Sequence, residues 1–179
     1  MNIWHDVNFG EDAPEIVTAA IEIPNKSRTK YEIDKDTGLL MLDRVLFSAM
    51  HYPANYGFIP QTLGEDNDPL DVLVVSYADL PPLSIANARP IGVMHMVDGG
   101  EGDDKIICVA SDDVTVNHIQ SLEDLPKHFL PEVEHFFARY KDLEKKSVKI
   151  NGFSDKATAQ KIITDGIARY KKEYSAKAV

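Results

Sequence analysis

Four acidic side chains lie within seven residues in the stretch EDNDPLDV, at positions 65–72. They are Glu65, Asp66, Asp68 and Asp71, and Pro69 stands among them. Like charges repel, so a soluble protein crowds carboxylates either on a solvated turn or around a cation. Carboxylate oxygens are the ligands that hard divalent ions such as Mg²⁺ take in proteins. The stretch therefore indicates an acidic turn or a metal site.

The spacing within DNDPLD bears on this choice. Asp66 and Asp68 are two residues apart, so both can point to one side of an extended segment, which Pro69 favours. Asp71 precedes the apolar run VLVV, and a carboxylate beside buried structure must be paired, hydrogen-bonded or metal-bound. An EF-hand loop starting at Asp66 would need Gly where Asp71 stands and Glu where Tyr77 stands, which excludes that motif. A plain acidic turn stays open from this stretch alone.

Further carboxylates occur in two other regions. The segment VDGGEGDDK contains a second acidic group, made of Asp98, Glu101, Asp103 and Asp104. Its glycines allow a tight hairpin turn, so a simple turn is an open alternative there. Glu22 in IEIP and Glu32 in KYEID are acids within predicted strands. An outward-facing strand position would also explain Glu22.

Cationic and phenolic residues accompany these acids along the chain. Lys30 lies two residues before Glu32, on the same face of a predicted strand. The others are Arg44, Tyr52 and Tyr56 in DRVLFSAMHYPANYGF, Lys105, and Tyr140 with Lys141 in RYKDLEKK. Each one alone is explained by a surface charge or a core aromatic. Together with the carboxylates they supply the metal ligands, fixed cations and hydroxyl donors that a phosphate site uses.

The elements that must position these residues are strands in the first two thirds of the chain and helices in the last third. Apolar runs predict strands at 16–23, 30–33, 39–47, 72–77, 89–98 and 105–110, with one more at 147–153. A first helical stripe carries Val133, Phe136, Phe137, Tyr140 and Leu143. A final helix, which Ser154 is expected to cap, carries Ala159, Ile163, Ile167, Tyr170 and Tyr174. This order predicts an α+β fold, a small β-barrel with two flanking helices, in one domain spanning residues 1–179.

Composition limits the classes of function. The chain has 179 residues, of which 44% are hydrophobic and 27% charged, typical of a globular protein with its own core. A formal net charge of -10 disfavours nucleic acid and acidic membranes as partners. No run approaches the roughly 18 apolar residues of a membrane span, and the N-terminus lacks the features of a signal peptide. The single cysteine, Cys108, cannot form an intrachain disulfide, so we expect a cytoplasmic protein.

Five blocks of sequence, in order, resemble the family I soluble inorganic pyrophosphatases, especially those of bacteria. The blocks are IEIP with KYEID, DRVLFSAMHYPANYGF, DNDPLD, VDGGEGDDK and HFFARYKDLEK. DNDPLD matches the family signature of three aspartates around a proline, and the resemblance runs from about residue 10 to residue 172. It implies hydrolysis of pyrophosphate to two orthophosphates with Mg²⁺, or with Mn²⁺ or another divalent ion instead. It also implies a five-stranded OB-like β-barrel core with additional strands and two flanking α-helices.

The same resemblance implies a role for each matched residue. The implied ligands of several Mg²⁺ ions, directly or through water, are Asp66, Asp71, Asp98, Asp103, Glu22 and Glu32. Asp68 is implied to orient or deprotonate the attacking water. Lys30 and Tyr56 are implied to contact the phosphoryl group under attack. The implied clamp on the leaving phosphate is Arg44, Tyr140 and Lys141, with Tyr52 and Lys105 as supporting members.

Two positions depart from the family pattern. Asn67 stands where many relatives have Gly, and because Asn tolerates positive φ, we expect the loop to keep its geometry. Asp104 adds an acid beside Asp103 and is a candidate for tuning metal affinity. For bacterial members the resemblance further implies a homohexamer built as two stacked trimers.

Other classes of function stay open from the residues alone. An OB-like module that binds nucleic acid is disfavoured by the net charge and by the lack of a basic stripe with interleaved aromatics. A Ca²⁺-stabilised structural protein would explain the acids but not Lys30, Arg44 and Lys141. Among enzymes, the nearest alternative is a phosphatase of broader range. ATP is disfavoured as a substrate because no GxxxxGK[ST] loop is present.

Overall fold

The computed structural model describes residues 1–174 of the chain. Within this range the strands are β1 Val17–Ile23, β2 Thr29–Ile33, β3 Leu40–Val45, β4 Asn55–Phe58, β5 Asp71–Val75, β6 Ile85–Asp98, β7 Glu101–Gly102, β8 Lys105–Ala110 and β9 Val148–Asp155. The α-helices are α1 Ile3–Asp6, α2 Phe129–Arg139 and α3 Lys156–Tyr174, and short 3₁₀ turns span Leu122–Asp124 and Asp142–Glu144. None of the helices in this range is both long and apolar enough to cross a membrane.

Five of the strands close into a barrel. β1 pairs with β4, β4 with β5, β5 with β8, β8 with β6, and β6 pairs back with β1. Of these five pairings the β5–β8 pairing is parallel and the other four are antiparallel. β9 adds to the barrel along β6, while β2 and β3 form a separate hairpin. The predicted five-stranded OB-like barrel with additional strands and two flanking helices is confirmed.

The central barrel strands are apolar on both faces because each face meets a core. In β5, Val72 and Val74 belong to a buried cluster that includes Ala159 and Ile163 of α3. Leu73, between them, belongs to a second cluster that includes the aromatic residues of α2. Successive strand residues point to opposite sides, so a strand between two cores becomes a continuous hydrophobic run. Each such buried side chain contributes about 1.5–3 kcal/mol of transfer free energy.

The first predicted helical stripe is confirmed in part. Val133, Phe136 and Phe137 are buried on α2, and Tyr140 is buried at its C-cap. The prediction was wrong for Leu143, which is 64% exposed. The reason is that α2 ends at Arg139 and Leu143 lies in the following 3₁₀ turn, off the helix face.

The predicted cap of the last helix was also wrong by one residue. Asp155 Oδ1 accepts the Thr158 N–H at 3.0 Å and the Thr158 hydroxyl at 2.8 Å, so Asp155 caps α3. Ser154 pairs in β9 opposite Val93. The buried face of α3 contains the predicted Ala159, Ile163 and Tyr170, together with Gly166.

One barrel strand, β4, has no counterpart among the predicted strands. It contains only four residues, and Gly57 interrupts its apolar pattern. The glycine is required because a Cβ at Gly57 would lie 1.9 Å from the Ala20 carbonyl oxygen of β1. Close backbone approach therefore explains this residue better than any turn does.

Candidate active site

A cavity of about 350 Å³ collects nearly all of the predicted site residues. It lies between the β2–β3 hairpin, the barrel strands and the residues that follow α2. The predicted residues that line it are Glu22, Lys30, Glu32, Tyr56, Asp66, Asp68, Asp71, Asp98, Asp103, Lys105, Tyr140 and Lys141. Arg44 and Tyr52 are outside the lining. The fold thus brings together residues that are up to 119 positions apart in the chain, from Glu22 to Lys141.

Local hydrogen bonds shape the acidic loop. The Asp68 N–H donates to Asp66 Oδ1 at 3.1 Å, and the Gly64 N–H donates to the Asp68 carbonyl at 2.6 Å. Asn67 has a φ of 66°, which confirms that asparagine accepts the left-handed geometry expected of this position. At the end of the loop the Leu70 N–H donates to the buried Thr62 hydroxyl at 2.9 Å. The loop therefore delivers Asp66 and Asp68 to the cavity just before β5 begins.

Lys105 links the acidic loop to the second acidic segment. The parallel β5–β8 register places Asp71 opposite Lys105. Lys105 Nζ contacts the carboxylates of both Asp71 and Asp103. Burial alone would lower the pKa of Lys105, but these two carboxylates raise it well above its usual value. The buried ammonium group is therefore charged, and it draws Asp71 and Asp103 to one point of the cavity.

Burial raises the pKa values of three acids of the cavity, Glu22, Asp66 and Asp103. Glu22 is 8% exposed and accepts one backbone N–H, from Ile33 at 2.8 Å. Burial raises the pKa of Glu22 to about 8, and the nearby charges of Asp71 and Glu32 add to the shift. Burial likewise raises the pKa of Asp66 and of Asp103. The lysines near these carboxylates lower their pKa values but do not offset the effect of burial.

Three more lysines pair with carboxylates around the cavity. Lys30 contacts Glu32 on the same face of β2, as the spacing predicted, and lies 3.2 Å from Asp43 of β3. Burial would lower the pKa of Lys30, but Glu32 and Asp43 raise it above its usual value. Lys141 contacts Asp98, and Lys35 contacts Asp68.

The tyrosines of the site are neutral donors. Burial raises the pKa of Tyr56 and of Tyr140, so both keep their hydroxyl proton near neutral pH. Tyr140 stacks on Phe136 with ring centroids 5.1 Å apart, and Lys141 Nζ lies 5.3 Å from the Tyr140 ring. Tyr52 packs between Tyr56 at 5.4 Å and Phe136 at 4.8 Å, as a core aromatic behind the cavity.

Arg44 lies beside the cavity and is held by two acids. Its Nε donates to Glu144 at 2.8 Å, and its Nη1 contacts Asp43. Its third nitrogen, Nη2, is buried without a hydrogen-bond partner among the described residues. Since buried polar groups are normally satisfied, this nitrogen has the capacity to bind an oxygen anion.

Several cavity residues escaped the sequence-based prediction of the site. Four of them, Asn2, Trp4, Lys35 and Glu101, line the cavity. Two more acids lie just outside the lining, where Asp43 contacts Lys30 and Glu144 contacts Arg44. Glu101 belongs to an acidic segment that the sequence already singled out. Lys35 follows KYEID directly, so extending that block by one residue would have included it. The N-terminal residues have no such signal, because only the tertiary fold brings α1 to the cavity.

The matching family model is described as inorganic pyrophosphatase, and it covers residues 19–171. The chain belongs to the inorganic pyrophosphatase family. Soluble inorganic pyrophosphatase 2 of Chlamydomonas reinhardtii is 47% identical over 171 residues, covering 96% of this chain and 89% of that protein. The crystal structure of the inorganic pyrophosphatase of Thermus thermophilus is 43% identical with a TM-score of 0.92, covering 96% of this chain and 99% of that one. The Helicobacter pylori pyrophosphatase structure is 43% identical with a TM-score of 0.88, covering 93% and 99%.

Membership of the pyrophosphatase family implies dependence on a divalent metal, and the cavity fits such an ion. Its lining contains eight carboxylates and four lysines, so four negative charges remain unpaired when all are ionised. Within residues 1–174, no three acidic, imidazole or thiol groups are already grouped to hold one ion. Ammonium groups instead contact the acids, above all Lys105 between Asp71 and Asp103. The excess of oxygen donors over cations and the raised pKa values both favour a hard divalent cation.

Proposed function

We propose that this cavity hydrolyses inorganic pyrophosphate to two orthophosphates with Mg²⁺ as the divalent ion. The supporting observation is that eight carboxylates and four lysines line one small cavity. A substrate that itself carries several negative charges needs both, metal ions held by acids and direct contact with cations. Removal of pyrophosphate would also pull forward the biosynthetic reactions that release it.

The carboxylates Asp66, Asp71, Asp98, Asp103, Glu22 and Glu32 would hold several such ions, directly or through water. Bound Mg²⁺ neutralises phosphate oxygens and lowers the pKa of a water molecule, which makes a nucleophile available at neutral pH. The protein's part is to hold the acids at fixed positions. Asp71 and Asp103 meet at Lys105, and Glu22 is fixed by the Ile33 N–H.

Asp68 accepts the proton of the attacking water. It is suited to this because its half-exposed side chain lines the cavity, and because its partner Lys35 is itself 54% exposed and therefore not locked in place by packing. The loop hydrogen bond from the Asp68 N–H to Asp66 fixes the backbone beneath it. General-base assistance of this kind contributes about 10²–10⁴-fold to a rate.

Cations and hydroxyls on the other walls bind the two phosphoryl groups. Lys30 and Tyr56 contact the group under attack, and Lys105 supports it from the floor of the cavity. Lys141 and Tyr140 bind the leaving phosphate, where negative charge grows in the transition state. Arg44 contributes to the same group through its unpartnered Nη2.

The deciding experiment is phosphate release by the purified protein with Mg²⁺, with Mn²⁺ and with EDTA. Pyrophosphate, ATP and a simple phosphomonoester serve as parallel substrates. We expect fast, metal-dependent release from pyrophosphate alone. Release from all three substrates would indicate a broader phosphatase, and no release with either metal would favour a structural metal site.

We further propose that the protein forms a homohexamer and that it is located in the cytoplasm. Self-association is supported by exposed apolar side chains on and next to β3, which are Leu39, Met41, Leu42, Val45 and Phe47. A cytoplasmic location is supported by the free, buried thiol of Cys108. Sedimentation velocity of the purified protein tests the assembly, and a monomer at micromolar concentration would contradict it.

A further inference from the structure

A short chain of hydrogen bonds runs behind the metal-binding wall of the cavity. Asp104 Oδ2 lies 2.9 Å from His95 Nδ1, and His95 Nε2 lies 2.8 Å from Ser154 Oγ. The second Asp104 oxygen, Oδ1, accepts the Met96 N–H at 3.1 Å. An ionised carboxylate can only accept, so His95 Nδ1 carries the proton, and a neutral ring then accepts the Ser154 hydroxyl at Nε2. The chain thus joins the β7–β8 connection to β6 and β9.

This network lies where the pairing of β6 is interrupted. Val97 pairs with Gly102 of β7 and Met94 pairs with Lys105 of β8, but residues 103 and 104 belong to neither strand. At this break the Met96 N–H is satisfied by the Asp104 carboxylate, and the Met96 carbonyl accepts the Asp103 N–H at 2.9 Å. The Asp104 side-chain oxygen replaces a backbone acceptor, so strand pairing ends here without leaving the Met96 N–H unpaired.

The β6–β9 pairing is irregular at the same place. Met94 pairs with Phe153, whereas Met96 pairs with Ile150, so β9 has one extra residue opposite His95. An irregularity of this type removes regular ladder hydrogen bonds. The His95 ring, which contacts both Asp104 and Ser154, connects the two sides across it.

At this break the side chains of Asp103 and Asp104 have different surroundings. Its side chain lines the cavity, is 17% exposed and contacts Lys105, which also contacts Asp71. Asp104 is its direct neighbour, yet its carboxylate is held by His95 and Met96. We propose that Asp104, held by His95 and the Met96 N–H, is a positioning residue that keeps Asp103 where a divalent cation is bound. This inference rests on the proposed function, which makes Asp103 a metal ligand.

Mg²⁺ binding to variants of the full-length protein tests this role. We expect Asp104→Ala to bind Mg²⁺ about tenfold more weakly by titration calorimetry, with a smaller Mg²⁺-dependent rise in Tm. Hydrolysis should then need more Mg²⁺ but should return to near its normal kcat at saturation. Asp104→Asn should bind nearly as the unaltered protein does, because the amide can still accept from Met96 and donate to the opposite His95 tautomer.

Asp112→Ala is the matched control, since Asp112 is an exposed acid that accepts only from Asn87 at 3.1 Å in the described contacts. Unchanged Mg²⁺ affinity in Asp104→Ala would overturn the inference. Equal losses in Asp104→Ala, Asp104→Asn and Asp112→Ala would also overturn it, because charge alone would then explain the effect. If Asp104→Ala does not fold, Ser154→Ala replaces it, with an expected loss of about threefold. An unaltered protein that binds no Mg²⁺ would instead refute the proposed function itself.

Discussion

The buried acid Glu22 of the cavity and the acid Asp113 of a surface turn are both carboxylates, but their pKa values are shifted in opposite directions. Asp113 accepts both donors of Thr115, at 2.6 and 2.9 Å, the Tyr77 N–H at 2.7 Å and the Ser76 hydroxyl at 2.8 Å. These hydrogen bonds hold the pKa of Asp113 well below its usual value. In the cavity, by contrast, burial raises the pKa of Glu22 to about 8.

The difference lies in what satisfies each carboxylate. Neutral backbone and hydroxyl donors surround Asp113, so both oxygens of its carboxylate are hydrogen-bonded and the side chain stabilises a turn. The cavity acids range from the buried Glu22 to the half-exposed Asp68, and they outnumber the lysines of the cavity by eight to four. Burial raises the pKa of Glu22, Asp66 and Asp103, so these three acids favour the arrival of more positive charge. A cluster of acids therefore indicates cation binding when its hydrogen bonds are few and its burial is high.

The largest expected effect comes from removing a shared cavity acid. Asp71→Ala should lower pyrophosphate hydrolysis on the order of 10³-fold and weaken metal binding with it, since Lys105 would lose one partner and the metal a ligand. Activity is measured across a Mg²⁺ titration, with Asp113→Ala as the control that should keep its Mg²⁺ dependence. An unchanged Mg²⁺ dependence in Asp71→Ala would contradict the ligand role.

A smaller effect is expected at Asp68, whose proposed role is to accept a proton from water. Asp68→Asn preserves the size of the side chain but cannot accept the proton, so kcat should fall about 10²-fold. Mg²⁺ binding by calorimetry should stay as it is. Normal turnover over the full pH range would rule out this role.

Metal removal should distinguish the two kinds of acid through stability. Mg²⁺ at about a hundredfold above its Kd should raise Tm by about 5–10 °C relative to EDTA, because it binds the folded chain. The same rise is expected in Asp113→Ala, and Asp71→Ala should lose most of it. Differential scanning fluorimetry measures all three, and a rise that Asp71→Ala retains would place the ion elsewhere.

The smallest effect concerns the turn acid alone. Because its folded pKa is depressed, Asp113 contributes stability above the ordinary Asp value of 3.8, and that contribution is lost as pH falls towards the folded pKa. Asp113→Asn should therefore lower Tm by about 2–4 °C at pH 7, and the difference should shrink below about pH 4. Hydrolysis at pH 7 should not change. A Tm difference that is constant down to pH 2 would show that charge on Asp113 has no part in it.

Much of the site could be predicted because its acids are local in sequence. The Asp66–Asp71 loop, the Lys30–Glu32 pair and the positive φ of Asn67 all depend on spacing or on intrinsic backbone preference. The elements that escaped prediction depend on distant residues. β4 contains a glycine because of contact with β1, and α1 reaches the cavity only in the folded chain.

Residue type and local spacing alone determined the acidic loops, the placing of Lys30 on one strand face with Glu32, the strands formed by apolar runs and the two longer helices. Tertiary structure alone decided what each charged group does. Parallel pairing across 34 residues set Lys105 between Asp71 and Asp103, and the interrupted β6 pairing turned Asp104 towards His95 and Asp103 into the cavity. The physical reason is that burial and pairing set the energy of a charge, and both depend on residues far away in the sequence.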